Sequence, residues 1–145
     1  MKKLTIYLVA FLVANIISSC DREEPLPPVT DPQQAILGKW EITHLGNGNQ
    51  LFPIKNPIAY EEYQTDSVLL TYNYEEEYIF YGKYWIVDTL LFKESTYYIN
   101  EAPGYADTLI VTEQYRFYFI NYNMLRLDLL NLIAINNTSV YKRLN

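Results

Sequence analysis

The segment Ile36-Leu37-Gly38-Lys39-Trp40-Glu41-Ile42 has the composition of an opening β-strand, with a Gly-x-Trp at its head. Apolar residues dominate it, which favours a strand from about Gly38 to Leu45. Asp31 and Pro32, a few residues earlier, are typical of the cap and the first turn of a helix. We therefore expect one short helical turn that leads directly into the first strand.

Short runs rich in tyrosine and β-branched residues follow this segment, separated by turn signals. The clearest is the run 124–130, where Leu125, Leu127 and Leu129 alternate with charged residues, as in a half-buried antiparallel strand. Because no long helical pattern interrupts these runs, they predict an all-β protein, a barrel or a sandwich. The other expected strands are 59–65, 67–74, 78–87, 90–94, 97–100, 108–112, 114–120 and 139–144, with 90–94 and 97–100 paired and 51–58 irregular.

Charge and composition exclude several classes of function. The chain has 145 residues, enough for one domain, and a formal charge of −6. An acidic surface repels phosphate backbones, so we expect no nucleic-acid partner. Cys20 is the single cysteine and His44 the single histidine, which excludes an internal disulfide and leaves little material for a metal site or imidazole chemistry. We expect no metal and no cofactor.

The N-terminus has the pattern of a secretion signal. Lys2 and Lys3 precede an apolar run over residues 4–17, which is too short to span a bilayer comfortably. Ile17-Ser18-Ser19-Cys20 then resembles a bacterial lipoprotein signal. That resemblance implies cleavage before Cys20 and acylation of its thiol and new amine. The alternative is an ordinary signal peptide with a chance cysteine.

Residues 1–19 are thus expected to be a signal peptide and residues 20–34 a tether. The acidic run 21–24 resembles the surface-export signal of lipoproteins in Gram-negative gut-type bacteria; a plain solvated tether is the alternative. The prolines between residues 25 and 32 predict a stiff, extended spacer. We expect a protein held at the outer membrane by its lipid anchor. If the acidic run acts as an export signal, the protein would lie on the outer face of that membrane.

The segment 37–42 resembles the start of lipocalins, and more closely the short lipocalin-like domains of Gram-negative bacterial lipoproteins. Later segments are similar to successive hairpins of that family, in the same order: Tyr63 with Thr65-Asp66-Ser67, Tyr84-x-Ile86-x-Asp88-x-Leu90, Phe117-x-Phe119 through Leu125-x-Leu127, and Tyr141-Lys142-Arg143-Leu144. The resemblance covers about residues 35–144 and implies a small antiparallel up-and-down meander barrel of about eight strands over 35–145. The Thr-Asp-Tyr-like second motif, flanking helix and disulfide of longer lipocalins are not visible.

In lipocalins a basic residue near the end of the barrel covers the tryptophan of the first strand. The resemblance therefore implies that Arg143 or Lys142 lies over Trp40 in a cation–π contact. With Gly38, this group would close the bottom of the barrel. Its implied role is structural, and it is not a ligand site.

Catalytic signals are weak in this chain, and we expect no enzyme. His44 stands alone and is interpreted as a strand-face histidine, because no residue at metal-ligand spacing accompanies it. Adjacent strand residues point to opposite faces, so neighbouring carboxylates in the pair 61–62 and the run 75–77 do not cooperate. We interpret both groups as solvated turn charges.

Binding is the remaining function. An eight-stranded barrel is just wide enough to be filled by side chains or to hold one small ligand, and both states are open at this point. If the barrel is open, a small apolar ligand in its mouth is expected. If it is filled, outward aromatic residues such as Tyr118 and Trp85 would contact an envelope protein or a glycan. The candidate ligand-binding residues of the interior are Tyr63, Tyr84, Ile86, Tyr115, Phe117, Phe119, Leu125 and Leu127.

Three triplets of Asp, Ser or Thr and an apolar residue recur before predicted strands, starting at Asp66, Asp88 and Asp107. One interpretation is strand-entry chemistry, because these side chains bond their own backbone in turns. The other is that they resemble the O-glycosylation acceptor of exported proteins in some gut bacteria. The acceptors would be Ser67, Thr89 and Thr108.

Overall fold

The computed structural model describes residues 29–102, 105–131 and 134–145. The expected signal peptide, the acylation site Cys20 and the acidic run 21–24 lie outside these residues. Within the described part, none of the helices is long and apolar enough to cross a membrane.

One short helix precedes nine strands in the described residues. Each strand after β2 is antiparallel to the next, and β1 pairs with both β3 and β9, which closes an eight-stranded barrel with β2 as an additional strand. The all-β meander barrel predicted from the sequence is confirmed. The elements are α1 (Pro32–Ile36), β1 (Gly38–Asn47), β2 (Gln50–Pro53), β3 (Ala59–Tyr63), β4 (Val68–Asn73), β5 (Tyr78–Val87), β6 (Leu90–Ala102), β7 (Tyr105–Asn121), β8 (Met124–Leu129) and β9 (Thr138–Arg143).

Two strand predictions were wrong because pairing overrode local breaks. The runs 90–94 and 97–100 do not pair with each other; they are one strand, β6, and the runs 108–112 and 114–120 are likewise one strand, β7. β6 and β7 pair from Leu90 opposite Arg116 to Ala102 opposite Tyr105, so polar residues at the expected breaks continue the ladder. The region expected to be irregular contains β2, which pairs along the upper half of β1.

The two ends of the barrel differ. We call the end that carries α1 and the β3–β4, β5–β6 and β7–β8 turns the base, and the opposite end the mouth. β3 pairs with the lower half of β1, from Gly38 to Glu41, and β2 pairs with the upper half, from His44 to Asn47. The loop 54–58 therefore forms part of the wall at the mouth, where a ladder strand would otherwise run.

Candidate functional site

The base is closed by a tryptophan and an arginine. Trp40 is fully buried, and its indole nitrogen donates to the Ile36 carbonyl at the end of α1, 2.6 Å away. The guanidinium of Arg143 lies 4.2 Å from the centre of the Trp40 ring, a cation–π contact. Of the two basic residues that the sequence offered for this contact, the structure uses Arg143, whereas Lys142 is exposed.

Arg143 also ties α1 to the barrel. Its guanidinium donates to the Leu37 carbonyl at 2.6 Å and to the Ala35 carbonyl. Gly38 makes room for this arrangement, because its φ of +110° is a conformation that side chains rarely adopt and a Cβ there would lie 3.1 Å from Arg143. The lower end of the barrel is therefore sealed by packing and by satisfied polar groups together.

The predicted interior residues all point into the barrel. Five of them are buried in its core, namely Tyr63, Tyr84, Phe117, Leu125 and Leu127, and three are partly buried against it, namely Ile86, Tyr115 and Phe119. With Trp40 they fill the lower part of the barrel with side chains. Whether any of them touches a ligand stays a prediction.

A buried ion pair lies above this filled part. The ammonium of Lys93 on β6 donates to both carboxylate oxygens of Glu61 on β3, at 2.8 and 2.7 Å. The Lys93 residue is only 3% exposed. The hydroxyls of Tyr63 and Tyr141 also donate to Glu61, at 2.7 and 3.3 Å. The carboxylate thus accepts four hydrogen bonds, which offset the cost of burying its charge.

Three tyrosine rings surround the Lys93 ammonium. The ring centres of Tyr115, Tyr141 and Tyr63 lie 4.7, 5.5 and 5.8 Å from its nitrogen. These distances are within the range of cation–π attraction, which strengthens when the cation is desolvated. Lys93 is therefore held by a carboxylate and by aromatic faces, in a group of side chains that we call the polar layer.

Burial raises the pKa of the Tyr63 and Tyr141 hydroxyls well above their usual value, and the Glu61 carboxylate raises both further. Burial also raises the pKa of Tyr115, with a further contribution from Glu113, to which its hydroxyl donates at 3.0 Å. These hydroxyls are therefore neutral donors at physiological pH.

A cleft of about 420 Å³ opens above the ion pair at the mouth. Its walls come from the upper part of β1, the loop 54–58 and the upper ends of β3 and β4. Most of this lining is apolar, and Glu61 and Tyr141 contribute polar atoms. The lining residues are Ile42, Leu45, Ile54, Asn56, Ile58, Ala59, Tyr60, Glu61, Thr71 and Tyr141.

Neither member of the ion pair was predicted from the sequence. Glu61 was interpreted as a solvated turn charge; this was wrong, because its side chain is 17% exposed and points inward with Tyr63, two positions along β3. Alternate residues of a strand share one face, so the interior position predicted for Tyr63 also implied an interior Glu61. Lys93 lies two residues after the buried Leu91 and could have been found in the same way.

The remaining predicted residues are dispersed. His44 lies in β1, with Nδ1 3.0 Å from the Thr43 hydroxyl. Ser67 and Thr89 lie in exposed turns at the base, and Thr108 is exposed on β7. The run 75–77 is an exposed turn at the mouth, as expected.

In the described part of the chain, no group of three or more His, Cys, Asp or Glu residues is arranged to hold a metal ion. No known protein-family profile and no curated protein matches this chain.

Proposed function

We propose that this protein is a binding module that holds a small, mostly apolar molecule in the mouth of its barrel. The observation that carries the proposal is the 420 Å³ cleft above a filled base. Its volume lies within the range of about 300–1,000 Å³ that is usual for small-molecule sites. Such sites combine apolar walls with a few placed polar groups, which is the composition of this cleft.

The chemistry of the cleft defines the ligand class. Ile42, Ile54 and Ile58 would contact an apolar body. At the floor, the Tyr141 hydroxyl makes only a 3.3 Å hydrogen bond to Glu61, the longest of the four that reach the carboxylate. A ligand hydroxyl or carbonyl could take over this weak contact at low cost. The favoured ligand is therefore an apolar molecule with one polar end directed at the floor.

We further propose a location in the cell envelope, with the barrel as a lipocalin-like domain on a lipid anchor at Cys20. The orientation of the described residues supports this arrangement. The chain enters the barrel through α1 at the base, so a membrane anchor on the preceding segment would leave the mouth facing away from the bilayer. The cleft would then be open to molecules in the surrounding medium.

The test is to incubate the purified protein with envelope lipid extract and to identify retained molecules by native mass spectrometry. Ala59→Phe places a ring in the cleft and is expected to abolish retention. Val87→Phe places the same ring at an exposed strand position and is the control. Equal retention by both variants, or by neither, would contradict a ligand in the cleft.

A second candidate function is an interaction protein that uses its outer face. It is favoured by Trp85 and Tyr118, which point outward and remain partly exposed although Trp85 stacks on Phe92 at 5.3 Å. Capture of an envelope partner by the wild-type protein but not by Trp85→Ala or Tyr118→Ala would support it. Unchanged capture by both variants would count against it.

A further inference from the structure

The barrel wall opens between β5 and β6 near the mouth. The β5–β6 ladder ends where Gly82 pairs with Ser95. Above that point, residues 78–81 of β5 pair only with β4, and β6 continues past Ser95 paired only with β7. Within the described residues, the edges of β5 and β6 that face each other above this point therefore carry no further ladder.

Backbone alternation identifies the groups at the β5 edge. The N–H of Tyr84 donates to the Ser67 carbonyl, so it points toward the β4 side. Because antiparallel strands alternate the direction of their backbone groups, the N–H groups of Tyr78 and Phe80 also point toward β4. Those of Ile79 and Tyr81 point to the opposite side, into the opening. A strand edge of this kind is a template for another strand.

Gly82 marks the point of divergence. A Cβ at this position would lie 2.5 Å from the Glu94 carbonyl oxygen, so the strands meet there closer than other residues allow. Gly82 and Ser95 form the last pair of the β5–β6 ladder.

Two clefts span the opening, and both are lined by residues of β5 and β6. One, of about 180 Å³, reaches inward to Leu69 and Thr71. The other, of about 650 Å³, extends outward between Tyr78, Tyr81 and Tyr97. The large side chains on both faces of the β5 edge are exposed, and Tyr81 is 67% exposed. The opening therefore combines backbone groups with aromatic walls.

The protein treats another strand edge differently. Just beyond its pairing with β8, the edge of β7 at residues 112–114 is capped by Asn131, which accepts from the Gln114 N–H and donates to the Thr112 carbonyl, each at 2.8 Å. The Leu130 N–H donates to the Gln114 carbonyl as well. Side-chain capping of this type protects an edge from other chains. No equivalent cap is found on residues 78–81 in the described structure.

We propose that the β5 edge binds an extended, basic segment of another protein, which adds a strand in the opening between β5 and β6. The N–H groups of Ile79 and Tyr81 face the opening beyond the last β5–β6 pair, and the carbonyls of an added strand would accept from them. The alternating aromatic residues offer contacts to side chains on both faces of that strand. Glu76 lines the outer cleft, next to Glu75 and Glu77, and this charge favours lysine or arginine in the partner.

Two other occupants of the opening, the tether of this chain and a second copy of the chain, are disfavoured by their charge and sequence. The tether of this chain contains Asp21, Glu23 and Glu24 together with several prolines, which cannot donate to a ladder. A second copy of the chain carries the same net charge of −6. Neither matches an acidic edge as well as a basic segment does.

The experiment selects binders from a random decapeptide library and measures amide hydrogen exchange of the full protein with the selected peptides. Selected sequences are expected to be rich in lysine or arginine and in β-branched residues. Binding is expected to slow exchange of the Ile79 and Tyr81 amides, whereas those of Tyr78 and Phe80 are already protected by β4. Failure to select peptides, or protection only elsewhere, would overturn the proposal.

Two protein variants separate backbone pairing from side-chain contact. Ile79→Pro removes the N–H that faces the opening and leaves the β4 bonds in place, so affinity is expected to fall about fivefold to tenfold. Ile79→Thr retains the N–H and is expected to bind nearly as well as the wild type. Equal binding by the proline variant would contradict strand addition.

Peptides N-methylated at alternate residues provide a measurement that does not depend on the folding of a variant. One of the two methylation patterns is expected to abolish binding, since it removes the donors that face β5. Binding by both patterns would overturn the proposal. So would protection of Ile79 and Tyr81 that rises with protein concentration in the absence of peptide, because a second copy would then be the occupant.

Discussion

The base and the mouth are built from the same strands, yet they satisfy their polar groups differently. At the base, the Trp40 indole and the Arg143 guanidinium donate to carbonyls at the end of α1. At the mouth, β5 and β6 diverge and leave a strand edge in the wall. The layer of Lys93 and Glu61 separates the two. We therefore expect the base to contribute more to the free energy of unfolding than the mouth does.

The largest effect is expected at the base. Trp40→Ala removes a buried ring and its hydrogen bond, and should lower the free energy of unfolding by about 3–5 kcal/mol. Trp85→Ala removes the other tryptophan, which is partly exposed and stacked on Phe92, and should cost about 1 kcal/mol. Urea unfolding measures both variants. Similar losses would mean that the base contributes no special stability.

The next effect is expected in the polar layer. Lys93→Met leaves the Glu61 carboxylate buried with only tyrosine hydroxyls as donors. This should lower the free energy of unfolding by about 3 kcal/mol. The double variant Lys93→Met/Glu61→Leu removes both charges and should recover more than half of that loss. A double-mutant cycle by urea unfolding measures the coupling. Additive losses would show that the two residues do not act as a pair.

Arg143→Lys tests the seal itself. The lysine ammonium keeps the charge but cannot reach both carbonyls as the forked guanidinium does. The free energy of unfolding should therefore fall by about 2 kcal/mol. Amide exchange within α1 should accelerate as well, while exchange near the mouth stays unchanged. A variant with wild-type stability and an unchanged α1 would show that the contact with Trp40 alone holds the base.

Alkaline pH tests the polar layer without a change in the layer's composition. Tyr63, Tyr115 and Tyr141 have pKa values raised above the usual 10.0, mainly by burial. The folded state therefore retains these protons at pH values where the unfolded state loses them. The associated stability is complete below pH 10 and falls above it by about 1.4 kcal/mol per pH unit for each hydroxyl.

Unfolding free energies at pH values between about 9 and 11.5 measure this slope. Burial raises the pKa of Tyr74 and Tyr84 as well, so five hydroxyls contribute to the slope. Tyr115→Phe removes one of them and should reduce the slope by roughly one fifth. An unchanged slope in that variant would mean that Tyr115 ionises equally in both states.

The smallest effect is expected at the mouth. Tyr81→Thr replaces an exposed side chain by a residue that suits strands, and should change the free energy of unfolding by less than about 0.5 kcal/mol. The same urea unfolding experiment measures it. A large loss would place the mouth among the stabilising parts of the barrel and weaken the contrast with the base.

The meander was predictable because each strand carries its own alternation. The run from Leu125 to Leu129 and the run 78–87 were placed closely, since their periodicity is local. The long hairpin of β6 and β7 was not predicted, because polar residues at its middle look like breaks until a partner strand is present. β2 was missed because proline at a strand end is tolerated where no further ladder bond is needed.

The candidate site was less accessible to sequence reasoning than the core. Tyr63 and Tyr115 were predicted to lie in the interior, but Glu61, two positions before Tyr63, was interpreted as a solvated charge. A buried carboxylate is expected only when a cation faces it, and Lys93 is 32 positions away along the chain. The pairing of these two residues depends on the closure of the barrel, which brings β3 and β6 to opposite sides of one interior.

Sequence alone determined that this chain forms an antiparallel β-meander, because side chains that alternate with a period of two record the two faces of each strand. The tertiary structure decided which charges pair inside, how Arg143 meets Trp40, and where the wall opens between β5 and β6. These features depend on distances between strands that are remote in sequence. Such distances exist only once the sheet has twisted and closed.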